Sequence, residues 1–428
     1  MKLHLRVFAL LLLSLALLVS VNALKEEAEV VPIDADAGLN VKQIIQKRGY
    51  AVEEHKVTTS DRYVLTMYRL PKSYDETQRN VSAAPNKPAV YLIHGLLDSS
   101  YAYVLNFRAQ SLAYILADAG YDVWLGNNRG TTWSREHLDF NPDKDDAYWD
   151  FSWDDMGRYD LPAMINYVLN VSKRPTLSYI GHSEGTTQAF VGFTYNQEVA
   201  KRVSYFGAMA PVAFLGDSES EIFNLLAHTY VDKFVTAFGV REFLMRSPLI
   251  NDIVGKFACV FVDVACGTFI NALTGPSVNI NTTRIHVYIT QTPAGTSVKN
   301  MGHYAQSIRD DTFRRYDYGC SCSKLLPISL CLSAICKNKA IYGTFEPPTY
   351  DLSKMKYPRT HFITGAQDTL ATAKDLVKLR SRLPSGTIFS ENNVQYGHLD
   401  YTWATNANEV IYKDMIAKMK LFEGKEYS

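Results

Sequence analysis

Five short apolar runs rich in β-formers, separated by helical stretches, restrict the folds open to this chain more than any other feature. They read AVYLI (89–93), DVWLG (122–126), TLSYI (176–180), SYFGAM (204–209) and THFIT (360–364). Between them lie YVLNFRAQSLAYILADAG and MGRYDLPAMINYVLN, the second with Asp160 and Pro162 suited to a first helical turn. Strands alternating with helices predict an α/β fold with a mainly parallel, doubly wound sheet. The alternation stops at about Phe214 and resumes after Phe345. An insertion of that size between two sheet strands reads as a mostly helical cap, 214–345, over the C-terminal edge of the sheet, where such folds bind ligands. The core is then 81–213 together with 346–428. Ahead of it, 34–80 holds a short helix, NVKQIIQKRGY, and the alternating run VEEHKVTTSDRYVLTMYRL. That run reads as a hairpin, although its turn, Ser60-Asp61-Arg62, lacks glycine.

The N-terminus carries a different signal. Lys2 and Arg6 precede the apolar run VFALLLLSLALLVSV, and a small residue, Ala23, follows. This pattern predicts a secretory signal peptide, residues 1–23. An uncleaved anchor is the alternative, but the run is slightly short to span a bilayer. No later stretch is apolar enough to cross one, so no transmembrane segment is expected after cleavage. Lys+Arg and Asp+Glu both total 44, which argues against nucleic acid as a partner.

Entry into the secretory pathway makes cysteine pairing possible. Cys259, Cys266, Cys320, Cys322, Cys331 and Cys336 all fall within the insertion. A Cys259–Cys266 bridge would close a short loop and is the preferred pairing; the other four allow three arrangements. Zinc ligation is the rival reading, but no Cys-x-x-Cys pair or His cluster accompanies them, and no metal is expected. Asn80, Asn170 and Asn281 each begin an Asn-x-Ser/Thr glycosylation triplet.

The chemistry centres on Gly181-His-Ser-Glu-Gly185, with an apolar run before it and a helix-like stretch after. This matches the Gly-x-Ser-x-Gly elbow, in which a Cβ at either glycine would clash and the serine, here Ser183, projects from a strained corner. A plain strand-to-helix turn would also explain the pentapeptide taken alone. Its partners decide the matter: in this fold an acid and then a histidine follow the serine. THFITGAQDTLA supplies Asp368 and NNVQYGHLDYTWA supplies His398, both on loops after strands. A serine hydroxyl needs a base to take its proton, and the imidazole needs a carboxylate to fix its tautomer. Asp368 could instead cap a helix, and Asp400 is a rival acid two residues from the base. The oxyanion hole is expected from the N–H of Glu184 and from that of Leu96, in the loop His94-Gly-Leu-Leu-Asp-Ser-Ser100. His94 and His182 read as buttresses of that loop and of the elbow.

With these pieces assembled, the chain resembles the animal acid lipases, the family of gastric and lysosomal acid lipase within the α/β-hydrolases. The segments that carry the likeness are IIQKRGYAVEEHKVTTSDRYVL, HGLLDSS, WLGNNRGTTWSREH, MGRYDLPAMINYVL, GHSEGTT, QDTLA and GHLDYTW. The resemblance implies a Ser183–Asp368–His398 triad, an oxyanion hole at Leu96 and Glu184, and a family disulfide at Cys259–Cys266. It also implies hydrolysis of acyl esters of neutral lipids at a lipid–water interface, without metal or cofactor, by a secreted or lysosomal enzyme. An esterase for shorter, more soluble esters is the enzymatic alternative. A non-catalytic lipid-binding or storage protein would be expected to lose the serine or histidine, and both are here. The cysteine-rich stretch YGCSCSKLLPISLCLSAICKNKA departs from the better-known members. So does Thr-Ser-Asp-Arg-Tyr (59–63), where the family has glycine at the fourth place. Glu184 stands where the family usually has glutamine. A carboxylate suits a helix's first turn, but one aimed at the oxyanion would oppose catalysis, so the Glu184 side chain is expected to turn away or be protonated.

Overall fold

The computed structural model describes residues 34–237, 239–244, 271, 274–277, 279–324 and 329–427. The predicted signal peptide and the Cys259–Cys266 pair lie outside these residues. The strands, in chain order, are β1 (Glu53–Thr58), β2 (Tyr63–Leu70), β3 (Ala89–Ile93), β4 (Asp122–Gly126), β5 (Glu136–His137), β6 (Leu177–His182) and β7 (Val203–Met209). They continue with β8 (Glu242–Phe243), β9 (Thr296–Ser297), β10 (Cys320–Lys324), β11 (Ser329–Cys336), β12 (Thr360–Gly365) and β13 (Ile388–Val394). The central sheet has the order β1-β2-β4-β3-β6-β7-β12-β13, with β5 paired to β2. From β4 to β13 every neighbouring pair is parallel. The β1–β2 hairpin adds to this through antiparallel pairing of β2 with β4.

Every residue of β3, β4, β6 and β7 is buried. Helices cover both faces of such a sheet, so its inner strands read as unbroken apolar runs. The five expected strands are β3, β4, β6, β7 and β12, shifted by a residue or two at most. The strand expected before the His398 loop, whose range the sequence left open, is β13: it lies at the edge, only partly buried, and its sequence IFSENNV is correspondingly polar. The helix expected over Tyr103–Gly120 regularises only at Leu112–Asp118. That before Leu161–Ser172 runs on through a wide turn at Met156–Asp160, so Asp160 does not cap it. Its carboxylate instead accepts from Arg129 Nη2 at 2.6 Å, both side chains being buried.

Arg129 also reaches Asp61 in the β1–β2 turn at 2.6 Å and lies over the Tyr63 ring at 3.9 Å. The glycine-free turn therefore has a job beyond reversing the chain, and Arg62 there adopts φ +76°, a left-handed conformation that favours glycine. In the insertion, Cys320 and Cys336 form a disulfide, and the β10–β11 register sets Cys322 opposite Cys331. Asn80 and Asn170 are exposed and Asn281 partly so. Among the described residues no helix is long and apolar enough to cross a membrane.

Candidate active site

Parallel strands deliver their following loops to one edge of a sheet, and the residues singled out above lie on four of those loops. β6 runs directly into Ser183, which has φ +53° and ψ −114°, and then into the helix Glu184–Tyr195. The neighbouring glycines are sterically required. A Cβ on Gly181 would lie 2.6 Å from the Gly185 carbonyl oxygen, and one on Gly185 would lie 2.6 Å from that of Ile93. Backbone strain at a single non-glycine residue costs on the order of 1–3 kcal/mol and persists only where surrounding contacts impose it. Here they do: Ser183 N–H donates to Met209 O at 3.0 Å, and Ser183 O accepts from Thr186 N at 2.7 Å.

The structure brings the three predicted groups together. His398 Nε2 is 2.7 Å from Ser183 Oγ, and His398 Nδ1 is 2.9 Å from both oxygens of Asp368. A carboxylate only accepts, so Nδ1 carries the ring proton and Nε2 is left to accept from the serine hydroxyl. Asp368 Oδ1 is further held by the N–H groups of Leu370 (2.9 Å) and Ala371 (2.8 Å).

The rival acid, Asp400, is engaged elsewhere. It accepts from Gly397 N at 2.9 Å and from the Ser277 hydroxyl, so it ties the histidine loop to the insertion. His398 N–H also donates to Thr274 O at 3.0 Å. No sequence signal pointed to Thr274 or Ser277, which lie more than a hundred residues away. His182 Nε2–H donates to His398 O at 2.8 Å, and burial lowers the pKa of His182 to about 3. It therefore steadies the base's backbone as a neutral ring.

The loop after β3 packs against the nucleophile: a Cβ on Gly95 would lie 3.1 Å from Ser183 Cβ. Leu96 follows at once, and Leu97 takes φ +61°. His94 accepts from Asn128 N at its Nε2 (3.1 Å), which leaves Nδ1–H to donate to Gly95 O (2.8 Å). Burial lowers its pKa to about 4, which keeps this bridging form neutral. Ala294 of the insertion donates its N–H to Leu97 O at 2.6 Å and accepts from Thr132 N at 2.8 Å, closing the far side of the loop. The N–H of Glu184 opens the nucleophile helix, where intrahelical geometry offers no acceptor. Its side chain is buried away from the hydroxyl, against Asn300.

A serine hydroxyl paired to an imidazole, an imidazole paired to a buried carboxylate and two backbone segments at the nucleophile are the parts needed for acyl transfer. The sequence matches the family described as alpha/beta hydrolase fold over residues 88–405, and that described as partial alpha/beta-hydrolase lipase region over 41–107. Gastric triacylglycerol lipase of Rattus norvegicus is 35% identical over 392 residues, covering 91% of this chain and 93% of that protein. Lipase member K of Mus musculus is 37% identical over 399 residues, covering 92% and 94%. Lysosomal acid lipase/cholesteryl ester hydrolase of Homo sapiens is 36% identical over 397 residues, covering 91% and 93%. With such relatives along nearly its whole length, the chain belongs to the acid lipase family of α/β-hydrolases, that of gastric and lysosomal acid lipase.

Proposed function

We propose that this lipase hydrolyses acyl esters of neutral lipids, triacylglycerols and sterol esters, with Ser183 as nucleophile, His398 as base and Asp368 as the orienting acid. Ser183 Oγ attacks the ester carbonyl carbon while its proton passes to His398 Nε2. The negative charge that grows on the carbonyl oxygen is met by the N–H groups of Glu184 and Leu96, fixed before substrate arrives. The alcohol leaves with the proton from Nε2, and the acyl group stays on Ser183. Water then gives a proton to Nε2 and adds to the acyl carbon, and collapse frees the fatty acid and restores the serine. Asp368 remains ionised throughout and stabilises the imidazolium.

The observation that carries this reading is the unbroken Asp368–His398–Ser183 chain of hydrogen bonds at a strained elbow. The names of the relatives, triacylglycerol lipase and cholesteryl ester hydrolase, support the substrate class. The insertion 214–345 serves as a cap bearing on substrate choice. The leader 1–23 directs the chain to secretion or the lysosome, and the triplets at Asn80, Asn170 and Asn281 carry glycans. The test is hydrolysis of emulsified triolein and cholesteryl oleate across acidic to neutral pH, beside Ser183→Ala. Turnover of either, abolished in the variant, supports the reading. Turnover only of a short soluble ester would replace it with the esterase alternative.

A further inference from the structure

The acidic neighbour of the nucleophile lies where a charge is costly. Glu184 is 2% exposed, and its Oε1 accepts from Asn300 Nδ2 at 2.6 Å. The orientation of that amide is fixed independently. Asn300 Oδ1 accepts from Trp153 N at 2.7 Å, and a backbone N–H can only donate, so the nitrogen must face Glu184. Asn300 Nδ2 also reaches Thr296 Oγ1 at 3.1 Å, and Asn300 N–H donates to Ser297 Oγ at 2.9 Å. The carboxyl is thereby moored to the start of the helix Val298–Asp310, to β9 and to the turn at Trp153.

The other groups around it offer no positive charge. Tyr304 comes from the same helix as Asn300, and Asn128 from the loop after β4, its Oδ1 held by Gln188 Nε2 at 3.2 Å. Asp160 acts on it from the wide turn ahead of Leu161, and the guanidinium of Arg129 is already shared between Asp160 and Asp61. Among the described residues, no cation forms an ion pair with Glu184. Burial pushes its carboxyl up to about 7, Asp160 adds to the rise, and Asn300, Tyr304 and Asn128 oppose it.

We propose that Glu184 is a positioning residue whose neutral side chain, moored by Asn300, fixes the helical turn that presents the 184 N–H to the oxyanion, and whose ionisation loosens that turn. This rests on the lipase reading above and adds to it a pH limit set by a side chain that touches neither substrate nor the reacting atoms. For an acid titrating at about 7 the neutral fraction falls roughly tenfold between pH 6 and pH 8, and ester hydrolysis falls with it. Stability follows the same sign. The folded-state pKa lies above the ordinary 4.5, so the contribution is complete below 4.5 and is lost as pH rises through about 7.

The experiment compares the wild type and Glu184→Gln on emulsified triolein and cholesteryl oleate at pH 6 and pH 8. It also compares the melting temperatures of Ser183→Ala and Ser183→Ala/Glu184→Gln from acidic to mildly alkaline pH. The wild type is expected to lose on the order of tenfold in rate across that interval and the glutamine variant to lose much less. The melting temperature should fall towards neutral pH more steeply in the chain that keeps Glu184. An unchanged alkaline fall in Glu184→Gln overturns the proposal. Should that variant not fold, Glu184→Met removes the titrating group at similar volume and is judged in the same way. Should the wild type hydrolyse neither ester, the lipase reading fails on its own, and identical melting profiles with and without Glu184 would sink this proposal separately.

Discussion

The elbow at 181–185 and the histidine loop at 395–400 deliver the two ends of one hydrogen bond, yet they are built in opposite ways. The elbow is shaped mostly at short range: Gly181 faces Gly185, Ser183 O caps the next turn, and the two strands beside β6 complete it, β7 through Met209 and β3 through Ile93. The histidine loop depends on distant segments. Its N–H at 398 is held by Thr274, its carbonyl by His182, and Asp400 braces Gly397 against Ser277. A local device can be written in five residues. A loop held from elsewhere depends on the whole chain being in place, and it is the part that changes outside the core should disturb first.

The largest expected effect tests whether Asp368 and not Asp400 is the acid. Asp368→Asn is expected to lower kcat by about 10⁴, or roughly 5.5 kcal/mol in the barrier, because the imidazole loses its tautomer and its countercharge. Asp400→Ala should cost far less, roughly 10- to 100-fold, through a misplaced base. Equal losses in the two variants would reverse their roles. Between these in free energy comes the elbow. Gly185→Ala sets a Cβ 2.6 Å from the Ile93 carbonyl oxygen and is expected to cost about 3 kcal/mol in urea denaturation. An unaltered midpoint would show that the elbow is looser than its contacts indicate.

The same contrast explains what could be read in advance. The inner strands were legible because burial on both faces favours apolar residues along their length, as in AVYLI; the exception in DVWLG, Asp122, is buried against Arg69. The bounds of β13 were not legible, because an edge strand has no such demand placed on it. The elbow was legible because Gly181 answers a steric conflict with Gly185, four residues away in the same pentapeptide. Ser183, Asp368 and His398 could be proposed by order and context, and the structure sets them within hydrogen-bond reach, whereas Asn300 could not: it lies 116 residues from Glu184, and an asparagine in a helix's first turn has no distinctive pattern. Asp160 shows the same limit. It lies where a helix start was expected, but its partner Arg129, 31 residues earlier, could not be read from the pattern.

The contacts of residues 274–300 bear on how this enzyme could be re-engineered. Thr274 meets the His398 loop, Ala294 the loop after β3 and Asn300 the side chain of Glu184. A chimera that exchanged the entire insertion with that of a relative would therefore import foreign scaffolding to all three segments of the proposed catalytic centre at once. The stretch is better treated as non-transferable, and grafts meant to alter substrate preference belong upstream of it.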